Sequence, residues 1–135
     1  MSLDILFETN RFNLSEVKPL FINPCCFGED MAAWLRGQLI EKGFEVIEPG
    51  QEDWGWYIKA KGQGSAYFIG VGGTAAESSG DKNYGEWRVI IEKHRSIWEK
   101  LTHKNEISKD DGMVAIIRGI LEREPDFHHV HDEHV

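Results

Sequence analysis

The stretch from Phe44 to Ile91 does most to decide what this chain can become, because short runs of alternating polarity are divided there by glycine-containing breaks. Phe44 to Glu48, Trp54 to Lys61 and Ser65 to Val71 form a β region in which side chains point alternately to opposite faces. Pro49-Gly50 separates the first two runs, and Gly62-Gln63-Gly64 the last two. The second break supplies positive φ for a tight reversal, so a hairpin or meander is the natural outcome. Within the middle run, Trp54, Trp56 and Ile58 are expected on one face, with Gly55, Tyr57 and Lys59 on the other. Gly70 to Tyr84, rich in Gly, Ser, Ala and Asn, reads as a surface loop. Trp87, Val89 and Ile91 then resume the alternation, and Ile5, Phe7 and Thr9 predict a further strand near the N-terminus.

Two segments carry helical spacing instead. Between Glu29 and Lys42, Met31, Leu35 and Leu39 recur every four residues with Ala32 and Trp34 beside them. Glu29 and Asp30 complement the positive end of the helix dipole, and Gly43 can adopt the left-handed conformation that ends a helix. Ser108 with Asp111 three residues on resembles a capping box. It opens a helix in which Met113, Ile116, Ile117, Ile120 and Leu121 form an apolar stripe, closed by Pro125. Arg95 to Lys104 reads as a helical turn between strand and helix. Asn13 to Pro19 reads as a turn-containing connection, and the apolar run Leu20-Phe21-Ile22 is stopped by Asn23-Pro24. No repeat or linker divides the chain, so one domain spanning 1–135 is expected, with 126–135 as a flexible tail rich in His and acid. The order of elements implies an α+β two-layer sandwich. In it, a mostly antiparallel sheet of about four to five strands is covered on one face by two main helices.

The 135 residues contain 15 Lys and Arg against 23 Asp and Glu, for a formal net charge of −8. Such a chain repels phosphate backbones and anionic lipid headgroups, which argues against nucleic acid and membrane as partners. No apolar run approaches the roughly 20 residues of a bilayer span, and no leader pattern opens the chain; a cytoplasmic location is the expectation. Cys25 and Cys26 are adjacent, a spacing poorly suited to a disulfide, which points to reduced thiols in a reducing compartment.

Each group with chemical potential also has a structural reading. Cys25 and Cys26 precede a helix, where free backbone N–H groups can stabilise a thiolate; either becomes a nucleophile if His94 or His103 lies within reach as base. Equally, both can be small buried apolar groups. Glu52-Asp53-Trp54-Gly55-Trp56 sets two carboxylates before two indoles, and neighbouring strand carboxylates point apart, which disfavours a paired acid and base. An indole exposed beside Glu52 and Asp53 would suit a cationic or basic partner, whereas buried Trp54 and Trp56 would simply be core. Gly70-Val71-Gly72-Gly73-Thr74 lacks the lysine of a phosphate loop and has Ala75 where a dinucleotide fingerprint needs glycine, so it reads as a flexible turn. His128, His129, His131 and His134 lie among carboxylates and could ligate a divalent transition metal. His128, His131 and His134 would share a face in a helix; a mobile terminus with no cofactor is the plainer expectation.

Three stretches together resemble a group of small bacterial α+β proteins of unassigned function. They are Asn23-Pro24-Cys25-Cys26-Phe27-Gly28-Glu29-Asp30, Glu52-Asp53-Trp54-Gly55-Trp56, and Arg95-Ser96-Ile97-Trp98-Glu99-Lys100-Leu101. The resemblance implies the α+β fold and supplies no mechanism. With no complete catalytic constellation in the chain, the leading expectation is a non-enzymatic, immunity-like binding protein whose acidity steers it to a basic protein partner. The alternatives are a small thiol- or metal-dependent enzyme and a structural domain that pairs with copies of itself.

Overall fold

The computed structural model describes residues 3–19, 21, 26–76, 79–94 and 111–134. Cys25, His103, Ser108 and the expected helical turn over 95–104 lie outside these residues. Seven strands and two helices are described: β1 (Leu3–Thr9), α1 (Glu29–Glu41), β2 (Glu45–Val46), β3 (Gly50–Glu52), β4 (Gly55–Gly62), β5 (Ser65–Ala75), β6 (Gly85–Lys93), α2 (Gly112–Glu122) and β7 (His128–His134). The strands make one antiparallel sheet in the order β2-β4-β5-β6-β1-β7, with β3 also paired to β4. The α+β class is as expected, and the sheet is larger than the expected four to five strands. No helix among the described residues is long and apolar enough to cross a membrane.

Register explains the core. Three rows of side chains cross one face: Ile58-Ile69-Ile91-Leu3, Trp56-Val71-Val89-Ile5, and Gly73-Trp87-Phe7. Apart from Gly73, every one of these is buried. Met31, Ala32, Leu35 and Leu39 of α1 join the same cluster, as do Met113, Val114, Ile117, Ile120 and Leu121 of α2. Removing such side chains from water is the main stabilising term, roughly 1.5–3 kcal/mol for each large apolar group.

The helix ends follow their local chemistry. After α1, Gly43 has φ +95°; its N–H donates to Ile40 O, and that of Phe44 to Leu39 O, which satisfies carbonyls left open at the C-terminus. For α2 the expected capping box is corrected: Asp111 is itself the N-cap, accepting from Met113 N at 2.9 Å. Asp111 does there what Ser108, as the first residue of the box, was expected to do.

Two further expectations are corrected by the sheet. Gly70 to Ala75 is strand rather than loop, because Gly73 stands opposite Trp87, and a Cβ there would come within 2.8 Å of the indole. The C-terminal segment is an edge strand rather than a loose tail, paired with β1 through a bulge between Leu6 and Glu8 in which His129 has φ +57°. Its acidic residues are gripped from both sides of the sheet, Asp132 by Arg118 and Glu133 by Arg88. Bulges and charges of this kind also discourage an edge from pairing with other chains.

Under α2, Tyr67 donates to Asp111 Oδ1 at 2.8 Å. Burial, with that carboxylate second, pushes the phenol from 10.0 up to about 12. The folded state therefore holds a proton that the unfolded chain releases, so stability present below pH 10 should fall between about pH 10 and 12. Urea melts of the wild type and Tyr67→Phe across that range should differ in slope, with Tyr67→Phe losing less stability with pH; parallel curves would contradict this assignment.

Candidate functional site

The alternation that buries Ile58, Ile69, Val89 and Ile5 necessarily sends their neighbours to the opposite face. Tyr57, Lys59 and Lys61 of β4, Phe68, Gly70 and Gly72 of β5, Arg88, Ile90 and Glu92 of β6, and Asp4, Leu6 and Glu8 of β1 lie there. Both helices pack on the other side, so no described helix covers this open face.

Its centre is aromatic. Glu52 pairs with Gly55, so Asp53 and Trp54 form the two-residue reversal between β3 and β4. The reversal lays Trp54 across Gly70, where a Cβ would come within 2.5 Å of the ring. Trp54 meets Phe68 edge-on at 6.3 Å between centroids, and Phe68 stacks on Tyr57 at 5.1 Å. Tyr57 in turn lies over Gly50, so glycines form the floor under both ends of the strip. Trp54 remains 44 % exposed. Beside it, a groove of about 460 Å³ runs between Asp53, Gly72, Arg88 and Ile90.

The rim is acidic. Glu45, Glu52, Asp53, Glu86, Glu92 and Glu133 are all exposed, against the exposed cations Lys59 and Lys61. Glu8 and Glu86 stand directly opposite one another on β1 and β6. Facing like charges are unfavourable by roughly 0.2–1 kcal/mol, a penalty that a cation from outside would relieve. His129 Nε2 lies 3.8 Å from Glu8, an ion pair only when that imidazole is protonated. Arg88 is committed within the sheet: it pairs with buried Asp4 and with Glu133, and the Asp4 hydrogen bond, with help from Glu133, raises its pKa.

The two indoles expected on one face are on opposite ones. Trp54 belongs to a turn rather than a strand, whereas Trp56 is 4 % exposed on the helix side and donates from Nε1 to Cys26 O at 3.1 Å. Of the proposed binding group Glu52, Asp53, Trp54 and Trp56, the first three lie at the surface and Trp56 is core. Cys26 is disulfide-bonded, against the expectation of reduced thiols, so its sulfur has no proton to lose. That sulfur sits 2.9 Å from the Asp53 carbonyl oxygen, and Cys26 thereby ties the approach to α1 to the Asp53-Trp54 turn. His94 cannot serve it as a base. Its N–H donates to Ala66 O, while Cys26 lies beside Gly72, and a strand rises roughly 20 Å over that interval.

The C-terminal histidines lack the helix that would align His128, His131 and His134. In the strand, His131 is opposite Leu6 and His128 opposite Glu8, with His129 in the bulge between them. Among the described residues no three His, Cys, Asp or Glu side chains converge in a way that could hold a metal ion. Sequence reasoning passed over Tyr57, Phe68 and Ile90, although the position of each next to a core residue was the signal that places it on the second face.

No family model, curated protein or solved structure matches the chain.

Proposed function

We propose that this is a non-enzymatic, immunity-like binding protein that receives a basic protein partner on the open face of its sheet. The observation that carries the reading is Trp54: a large, exposed indole held in place by the glycine beneath it, at one end of an aromatic strip with an acidic rim. Rigid aromatic groups of this kind dominate binding energies, and the surrounding charges set partner choice and association rate. The opposed Glu8 and Glu86 favour a cationic visitor, since one Lys or Arg placed between them removes their repulsion. Against the alternative of a thiol enzyme stand the disulfide at Cys26 and the distance of His94 from it, with Cys25 and His103 lying outside the described residues.

The test is co-purification from the native host, with the wild type compared to the double charge reversal Glu86→Lys and Glu92→Lys. Both residues are exposed, so the fold should tolerate the change. A specific basic protein recovered by the wild type should be lost or bound at least tenfold more weakly by the variant, with association slowing as salt rises. Equal recovery by both proteins, or a partner that is itself acidic, would overturn the proposal.

A further inference from the structure

Beyond Phe68, at the end of the face away from Trp54, lies a second groove of about 440 Å³ whose walls are almost wholly apolar. Ile47, half-exposed at the edge, faces Ala66 and Phe68 across it. Lys59, Lys61 and His94 stand around it, and Glu45, the register partner of Lys61, is the acidic residue in its lining. Glu92, opposite Phe68, is the nearest carboxylate outside it on β6. In a chain with eight more acids than bases, two lysines beside a histidine run against the composition. Lys59 lies over the Tyr57 ring at 6.0 Å, and neither the Lys61 ammonium nor the His94 ring makes an ion pair or side-chain hydrogen bond among the described residues.

An apolar trough with a lysine ammonium and an imidazole at its mouth, neither of them ion-paired among the described residues, is complementary to a molecule that is greasy along its length and negative at one end. We propose that this groove binds a free aliphatic monocarboxylate, with its chain against Ile47, Ala66 and Phe68 and its carboxylate at Lys61 and His94. The volume lies within the range of small-ligand sites. Charge selects the ligand head: a cationic amphiphile of equal length meets Lys61 and Lys59 in repulsion. Chain length sets affinity, about fourfold for each methylene buried until the trough is full. The site shares Phe68 with the aromatic strip but makes no use of Trp54, so loss of Trp54 tests the protein-recognition reading without touching this one.

The experiment is calorimetric titration of the full chain with octanoate, decanoate and octylammonium, each below its micelle concentration. Binding of one carboxylate per chain is expected, about tenfold or more tighter for decanoate than octanoate, and much weaker for octylammonium. Lys61→Gln should weaken decanoate about tenfold with an unchanged unfolding midpoint, while Trp54→Ala should leave decanoate affinity as it was. Amide shifts on titration should centre on Ala66 and Phe68 and spare Ile90. Absence of saturable decanoate binding, equal binding of octylammonium, or a Lys61→Gln protein that binds like wild type would overturn the proposal. So would binding to anionic phosphatidylglycerol vesicles in place of the free acid.

Discussion

Replacing Trp54 by alanine is expected to weaken partner binding by at least about 2 kcal/mol, roughly thirtyfold, while leaving the folded protein intact. The indole is 44 % exposed and lies on the side of the sheet away from both helices, so truncating it opens no cavity in the core. What is lost is a flat apolar surface already fixed in position, which a partner can use without paying to order it. Gly70→Ala provides a second route to the same loss with Trp54 still present. The added methyl would stand 2.5 Å from the ring and must lift it off the sheet. Calorimetry on the co-purified partner checks both variants, with thermal melts of each variant alone as the control. An affinity within twofold of wild type for Trp54→Ala would move recognition away from this face.

The largest stability effect is expected at Trp87. Its side chain is fully buried, touches Phe12 edge-on at 5.6 Å and occupies the space that Gly73 leaves open. Trp87→Ala should cost about 3–5 kcal/mol, a large part of the 5–15 kcal/mol typical of a whole domain. Trp87→Phe should cost less than half as much, because a six-membered ring still fills most of the space. Trp87 Nε1 has no hydrogen-bond partner among the described residues, so neither variant gives up a hydrogen bond and the two costs differ through ring volume alone. Chemical denaturation with an unchanged m-value measures both. Equal costs for the two variants would contradict this packing account, since both remove the same N–H and only Trp87→Phe keeps a ring beside Gly73.

The contrast between these tryptophans shows what the sequence reveals. Helix α1 was readable almost to the residue, since Met31, Leu35 and Leu39 mark its buried stripe and Gly43 its end, all through local chemistry. The strands from Gly55 to Gly62 and from Gly85 to Lys93 were readable from alternation alone. Gly70 to Ala75 was not, because a glycine-rich string takes its conformation from the bulk of Trp87 on the next strand, a contact remote in sequence. The face of Trp54 was hidden for a similar reason: only the pairing of Glu52 with Gly55 shows that Asp53 and Trp54 turn a corner. The C-terminal strand is polar on both sides and lacks the pattern that betrays burial. Backbone pairing with β1 and the arginines at 88 and 118 hold it there. As for the site, Glu52, Asp53 and Trp54 were legible as an unusual string, while the second face that gives them a purpose emerged only with the register.

The most direct test is hydrogen exchange of the complex with its co-purified basic partner, read residue by residue against the free protein. Slowed exchange in the Asp53-Trp54 reversal and across Tyr57, Phe68 and Ile90, with the amides of both helices unchanged, is what recognition through the side of the sheet away from the two described helices requires. Protection concentrated on α1 or α2, with those residues unaffected, would show that the partner sits on the other layer.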